Sequence, residues 1–428
     1  MRVLQIGVGG VGESIAKIAQ QRDPKQDWLE LMVLADYNEV RAHEVAAKLG
    51  EPERFPVEKI DAANKDQIIA LTRKYRADVL MNSVDPPFNM PILEAAFEAG
   101  VTYIDMAASV SEPHPTEPYN KCGVMLGDLQ WAKAKEWEEK GLLAMLCCGV
   151  EPGLSDFFAR YAEKRLFDEI VEMGVRDGNN LHIPGSDEVT FGFSIWTLIE
   201  ECLNPPFVFN RDEGGFHTTE LFSEPELFWL PGGIGEVEMV NVEHSEVIFI
   251  GRHIDKGLRR ATFKYGLGDK FIEALRLIQA CRMHQLTPVD VKGTKVIPRE
   301  VLGATAPNPV EVGMKYVGKT VAGTWVKGKK DGLEREVYLY QIADNEECVE
   351  RLGCQAVVAQ TAFTPVILME LMAAGRWNYT GLRCGELCDP DPVVALLADY
   401  GFPGGLLEME SEYRRAHEAQ SLLAPIEA

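Results

Sequence analysis

Basic residues are scarce in this 428-residue sequence: 43 lysines and arginines stand against 66 aspartates and glutamates, a formal net charge of −23. Nucleic acid and anionic lipid both need a basic face, so a general affinity for either is excluded. No continuous apolar run reaches the roughly 18 residues that a membrane span requires. The opening MRVLQIGVGG lacks the basic stretch, long apolar core and small-residue cleavage site of a secretory leader, which leads us to expect a cytoplasmic protein. The nine cysteines are odd in number and scattered, so they form no disulfide framework. Cys384 and Cys388 come nearest to a metal pair. No second pair at ligand spacing joins them, and no metal is expected.

The remaining composition, 46% hydrophobic and 25% charged, is that of a globular chain too long for one ordinary core. Residues 3–6, 31–35, 79–84, 101–104 and 142–148 read as short buried strands. Helical patterns over 13–21, 39–49, 65–75 and 91–99 separate them. Strand–helix alternation with short links predicts a parallel sheet covered on both faces, over residues 1–150. From about Asp168 the pattern turns to period two, with strands expected at 170–176, 237–242 and 247–250. Segments 320–326 and 336–341 flank Lys329-Lys330-Asp331-Gly332, a strong hairpin signal. These mark a second domain over 151–355 with a mixed or antiparallel sheet. The apolar helix at 356–374 must be buried, and residues 356–428 are expected to return to the first domain. The polar tail after Glu408 is expected to fray.

Gly7-Val8-Gly9-Gly10-Val11-Gly12 fits G-x-G-x-x-G between a strand and a helix. Gly7 permits the tight turn, Gly9 admits a pyrophosphate to the backbone, and Gly12 lets the helix pack close to the strand. The pyrophosphate then sits on the free N–H groups of the helix N-terminus. Asp36 ends the second strand at the distance where a carboxylate binds the ribose hydroxyls of NAD and repels the extra phosphate of NADP. Tyr37 follows it. Arg41, one turn on, keeps NADP possible. The fold class is therefore α/β: an N-terminal Rossmann doubly wound parallel sheet plus a second α+β domain. Gly313–Thr320 satisfies the P-loop formula, but a proline-rich stretch precedes it and a β-branched strand follows, so nucleoside triphosphate binding is not expected there.

In an open parallel sheet, ligands bind at the carboxyl ends of the strands. Three such ends stand out: Val84-Asp85-Pro86-Pro87, Asp105-Met106-Ala107 and Gly149-Val150-Glu151-Pro152-Gly153. In these loops the sequence resembles the saccharopine dehydrogenase-like superfamily, and within it the carboxynorspermidine/carboxyspermidine dehydrogenases. The resemblance is carried by LQIGVGGVG, NSVDPPFNMPILEAAFEAGVTYIDMA, CGVEPGLSDFFARYAEKRLFDEI, GTWVKGKKDGLEREVYLYQIAD and LCDPDPVVALLADYGFP, which together span nearly the whole chain.

The resemblance implies a pyridine-nucleotide-linked reaction at a carbon–nitrogen bond. An amine and an aldehyde or keto acid condense to an imine, and hydride reduces it to a carboxyalkyl secondary amine. By matching position, Gly7, Gly9, Gly10, Val11 and Gly12 would hold the pyrophosphate. Val84, Asp85, Pro86 and Pro87, with Asp105, Met106 and Ala107, would line the nicotinamide side, and Gly149, Pro152 and Gly153 would border the substrate. A homodimer is also implied. Ala35-Asp36-Tyr37 departs from the serine-arginine type sequence, suited to NADP, that the polyamine enzymes usually carry. Glu151 stands where an aspartate is common, and RDGNNLHIPGSDEVTFGFSIWTLIEECLNPPF replaces the stretch that builds the substrate pocket.

Asp105, Glu151 and His182 are the candidates for catalytic proton transfer. Arg176, Arg252, Arg259 and Arg260 are candidates for a substrate carboxylate. Asp177, Asp187 or Glu188 would suit a cationic amine beside an aromatic wall at Trp196. Lys264 and Tyr265 are expected to face the cleft. Two rival readings stay open at this level: NAD-dependent oxidation of a single lysine-like amine, and a dinucleotide sensor that turns nothing over.

Overall fold

The computed structural model describes residues 1–417 and 423–426. Short apolar strands alternate with amphipathic helices from the first residues: β1 (Arg2–Ile6), α1 (Gly10–Arg22), β2 (Leu31–Asp36), α2 (Glu39–Leu49), β3 (Val57–Lys59), α3 (Lys65–Tyr75), β4 (Val79–Asn82), α4 (Asn89–Ala99), β5 (Thr102–Ile104), α5 (Asp128–Trp131), α6 (Ala134–Lys140) and β6 (Leu143–Met145). The core residues of β1, β2 and β4 are almost wholly apolar and buried, the pattern of strands covered on both faces. They pair in parallel, with Ile6 opposite Ala35 on one side and Asn82 on the other. Every carboxyl end therefore opens at the same edge of the sheet.

The chain then crosses through α7 (Leu154–Tyr161) into β7 (Glu169–Asn179), α8 (Ile195–Leu203), β8 (Phe207–Asn210), β9 (Gly215–Thr218), β10 (Glu226–Leu230), β11 (Gly235–Asn241), α9 (Ser245–His253) and β12 (Arg260–Tyr265). A peripheral stretch follows: α10 (Asp269–Ala280), the small hairpin β13 (Val289–Val291) and β14 (Thr294–Val296), α11 (Pro298–Thr305) and α12 (Pro309–Gly313). The Asp-Gly hairpin expected from the sequence is there, longer than its alternating core, as β15 (Lys319–Lys330) and β16 (Leu333–Asp344). The chain ends with α13 (Asn345–Leu352), α14 (Ala356–Ala373), β17 (Gly381–Arg383), α15 (Asp391–Leu396), β18 (Gly404–Glu408), α16 (Glu412–Ala416) and β19 (Leu423–Pro425).

Among the described residues the first sheet runs β17-β6-β5-β4-β1-β2-β3, so a strand from the chain's last quarter completes it. The second sheet is mixed, with β10-β11-β12-β7-β15-β16-β18-β19 in order and β8-β9 attached at β12. The C-terminal stretch thus returns to both sheets. Helix α14 packs on α1 and buries Phe363, Val366, Ile367 and Leu368 completely. By length and composition, with a mean hydropathy of 1.6, α14 is apolar enough to cross a membrane, but Gln360, Thr364 and Glu370 interrupt it and most of it is buried, as in the core helix of a folded protein.

Two expectations are corrected. Residues 247–250 lie in helix α9, not in a strand. Four consecutive apolar residues fit a fully buried helix as well as a buried strand, and here all four are interior. The tail expected to fray after Glu408 forms α16 and the edge strand β19 paired to β18, while 418–422 and 427–428 fall outside the described residues. The P-loop-like segment runs from a short helix, α12, into strand β15, the reverse of the strand-then-helix context that a phosphate cradle needs.

Candidate active site

The glycine turn is built for close packing on one side and left open on the other. Gly7 has φ +97°, and a Cβ there would strike the Ser83 carbonyl and the Val84 side chain. A Cβ on Gly12 would collide with the Gly7 carbonyl, so α1 can approach β1 only through a glycine. Gly9 differs: a Cβ there would meet nothing within 4 Å, so its outer side is clear. No side chain caps α1, and the first intrahelical bond runs from Glu13 N–H to the Gly9 carbonyl at 2.9 Å. Gly7 N–H is spent on the Ala35 carbonyl and Val8 N–H on Asp36, but among the described residues nothing engages the amides of Gly9 to Gly12, which can receive an anion. The buried Gln5 amide donates to the Gly12 carbonyl at 2.7 Å and fixes the loop against its strand. These features fit a dinucleotide pyrophosphate.

Asp36 is buried where β2 ends. Its carboxylate accepts from Val8 N–H at 2.7 Å and from Asn38 N–H at 2.8 Å, one bond to each oxygen. Each oxygen keeps lone-pair capacity for a ribose hydroxyl. Tyr37 is 80% exposed beside it. Arg41 pairs with Glu13, which also holds Lys17 at 2.7 Å and Lys48 at 2.9 Å.

At the next strand ends, Val84 is half-buried, and Pro86 and Pro87 start a single 3-10 turn. Asp85 accepts from Ser194 at 3.3 Å, which sets the N-terminus of α8 beside this loop. Desolvation raises its carboxyl against the Ser194 hydrogen bond, with Glu300 adding, although the residue keeps an exposed face. Met106 and Ala107 are half-buried, and the Ala107 carbonyl accepts from Asn89 at 2.7 Å. Asp105 is buried among donors: Cys147 N–H at 2.6 Å and the Gln130 amide at 2.6 Å. Burial raises its carboxyl to about 7 against those bonds and that of Tyr103. It ties β5 to β6 and to the 130 region, so its contacts are those of a brace.

The third loop leads into an acidic pocket. Gly149 N–H donates to the Pro152 carbonyl at 2.8 Å, and Gly153, with φ +139°, packs where a Cβ would strike Gly149. This brings Glu151 against Asp177 of β7, carboxyl to carboxyl. Burial first, then the Asp177 charge, pushes Glu151 well up, and burial raises Asp177 to about 7 against the Glu151 hydrogen bond, so the pair holds protons more tightly than free carboxyls do. Beside them His244 lies flat on Phe263, with ring centroids 3.8 Å apart. Its Nδ1 is 2.6 Å from Glu246 and its Nε2 is 3.6 Å from Glu201. Burial pulls the imidazole down, but Glu246 and Glu201 outweigh it and raise it to about 10, so it stays cationic. Burial, then Asp177, Glu151 and Glu201, raise the Tyr265 hydroxyl well up. Four carboxyls, those of Glu151, Asp177, Glu201 and Glu246, surround one imidazolium, so acids outnumber bases in the cluster. Glu201 is the partly open member, with its side chain 26% exposed.

The remaining candidates lie elsewhere. Arg176 and Lys264 face the other side of the second sheet: Arg176 pairs with Glu226 and stacks 5.0 Å from Trp325, and Lys264 meets Glu226 at 2.7 Å. Trp196 lies under Arg299, which pairs with Glu200. His182 is exposed, its ring 3.2 Å from the Asn180 carbonyl. Asp187 and Glu188 are exposed, and Asp187 reaches Lys270 at 3.5 Å. Arg252, Arg259 and Arg260 pair with Asp128, Asp212 and Glu224. The pocket therefore gathers Glu151 and Asp177 from the expected set, with Tyr265 beside them. Glu201, His244 and Glu246 went unread, although GluHisSerGlu at 243–246 is the one place where histidine sits between acids in an otherwise apolar stretch.

Comparison with known proteins matches two family models in order along the chain: the saccharopine dehydrogenase NADP binding domain over residues 3–145 and the saccharopine dehydrogenase C-terminal domain over residues 149–402. A carboxyaminopropylagmatine dehydrogenase from Synechocystis sp. is 27% identical over 409 residues, covering 94% of this chain and 96% of its own length. A carboxynorspermidine synthase from Vibrio alginolyticus is 28% identical over 421 residues, covering 96% of this chain and 98% of its own. Among solved structures, the apo saccharopine dehydrogenase (L-Glu forming) of Saccharomyces cerevisiae superposes with a TM-score of 0.68 at 13% identity, over 96% of this chain and all of that one, a likeness of fold.

Proposed function

Because the chain belongs to the saccharopine dehydrogenase family and is an NAD(P)-dependent oxidoreductase acting at a carbon–nitrogen bond, we propose that it reductively condenses a cationic, polyamine-like amine with a small carboxylated aldehyde such as aspartate semialdehyde. The observation that carries this reading is the acidic pocket: Glu151, Asp177 and Glu201 meet at the carboxyl end of β6 around a single fixed cation, His244. A site in which acids outnumber bases attracts an amine that bears a second positive nitrogen. The names of the two relatives refer to carboxyaminopropylagmatine and carboxynorspermidine, both carboxylated products with further basic nitrogens.

Gly7, Gly9, Gly10, Val11 and Gly12 hold the pyrophosphate in this reading, and Asp36 the ribose. The nicotinamide lies against Val84–Pro87 and Met106–Ala107. When bound, the dinucleotide supplies the hydride that turns the imine into a secondary amine. The protein brings amine and carbonyl together, which removes the entropic cost of their meeting. The Glu151–Asp177 pair, holding protons more tightly than free carboxyls do, takes a proton from the attacking amine and returns one to the departing hydroxyl as the imine forms. Tyr265 stays protonated as a hydrogen-bond donor facing the carboxyls. We further propose a cytoplasmic homodimer organised as residues 1–150, 151–355 and 356–428; Leu227 and Trp229, exposed on edge strand β10, support pairing through the second sheet. The test is oxidation of NADH or NADPH by amine and aldehyde pairs, in which neither partner alone suffices.

A further inference from the structure

Three cations gather on one carboxylate at the edge of the dinucleotide site. Glu13, in the first turn of α1 just past the glycine turn, is almost fully buried and engages Lys17, Lys48 and Arg41. Burial works to raise its carboxyl, but the lysine hydrogen bonds and the three positive charges prevail and hold it at about 2. Arg41 is the cation that matters for the cofactor. It is the third residue of α2, directly after the Asp36-Tyr37-Asn38 turn at the end of β2, and its backbone N–H bonds the Asn38 side chain at 3.3 Å. In this fold an adenosine 2′-phosphate lies at that turn, where an arginine fork suits it. Here the fork is turned back onto Glu13, and its other guanidinium nitrogen lies 3.8 Å from Glu44.

We propose that Glu13 is a cofactor-specificity residue. By holding Arg41 away from the β2–α2 turn it leaves Asp36 alone to read the adenosine ribose, and so biases the site toward NAD. The role is one of positioning, since Glu13 acts through Arg41. A purely structural ion pair would treat both nucleotides alike; this one separates them. The inference rests on the dinucleotide site of the preceding section and is independent of which amine is used, so it is tested by binding alone.

The experiment titrates the whole chain with 5′-AMP, 2′,5′-ADP, NADH and NADPH by calorimetry and nicotinamide fluorescence, for the unaltered protein, E13Q, E13Q/R41M and R41Q. Glu13→Gln frees the guanidinium and tightens 2′,5′-ADP and NADPH relative to 5′-AMP and NADH by about fivefold, the effect of one partly exposed ion pair near the top of its range. The added Arg41→Met removes that gain. An unchanged ratio in a folded E13Q protein, or a gain that survives R41M, overturns the proposal. Should E13Q fail to fold, R41Q asks the same question from the other side. A sequestered arginine leaves the weak affinity for 2′,5′-ADP where it was, and a severalfold loss overturns the proposal.

Discussion

Glu201→Gln separates the two substrates of the proposed reaction. The Glu201 carboxylate is the open wall of the acidic pocket, and the substitution removes one charge while keeping the shape and an acceptor for His244. Two unit charges about 4 Å apart interact by about 4 kcal/mol at an effective dielectric near 20. Desolvation of the amine, and the 26% exposure of the Glu201 side chain, reduce the net loss to about 1–2 kcal/mol, or roughly 5- to 30-fold. The loss should fall on kcat/KM for the amine and grow with the number of positive charges it carries. kcat/KM for the aldehyde at saturating amine should move by less than about twofold, since the aldehyde has no positive nitrogen to lose. Initial rates of NADH or NADPH oxidation over a matrix of the two concentrations supply both constants. An equal fall for both substrates, or a fall independent of amine charge, would refute the pocket's role in reading charge.

Gly9→Ala should leave the melting temperature unchanged and weaken dinucleotide binding about tenfold or more, because a Cβ there meets no protein atom but enters the pyrophosphate's side of the turn; Gly12→Ala should lower both stability and binding, because its Cβ strikes the Gly7 carbonyl. Thermal unfolding and cofactor titration of the two variants check this contrast. Phe363→Ala empties a fully buried position on α14 and should cost about 3–5 kcal/mol in denaturant unfolding. Stability should also fall as pH rises from about 7 to about 9, above the range in which His253, lowered to about 4, gives the opposite slope. The buried Asp105 and Glu243 carboxyls, raised to about 7 and about 8, bind protons more tightly folded than unfolded, and so does His244, raised to about 10. Each such group stabilises fully below its unfolded pKa and loses that contribution as pH climbs through its folded value. Glu13, lowered to about 2, adds the opposite slope only in strong acid. Melting temperature measured across pH tests the sign: a steady rise between neutrality and about pH 9 would contradict it.

Most of residues 1–150 was legible because its longer elements each carry one clear period, while the short β3, α5 and α6 carry none and went unread. In β1, α1 and β2 the apolar residues fall where a doubly wound sheet needs them, and the glycine turn lies between strand and helix. The substrate pocket was not legible, for a physical reason. Its carboxyls come from a loop, β7, α8 and α9, and in sequence a buried Glu246 looks like any solvated acid until tertiary packing encloses it. Adjacent residues on a strand face opposite sides, so Arg176 and Asp177 could not both line the cleft; the β7–β12 register puts Asp177 opposite Tyr265 and Arg176 opposite Lys264. The misread α9 hid His244 as well, since a strand at 247–250 gives its N-terminal acids no pocket to face.

Reductive condensation is tested by mixing the protein with NADH or NADPH and following the nicotinamide absorbance with each amine, each aldehyde or keto acid, and each pair. Oxidation is expected only when a cationic diamine or agmatine-like amine and a carboxylated aldehyde are present together. Reduction of NAD by lysine or another single amine, with no paired reaction, would contradict this in favour of amine oxidation. Cofactor binding with no turnover in either direction would contradict it in favour of a sensor.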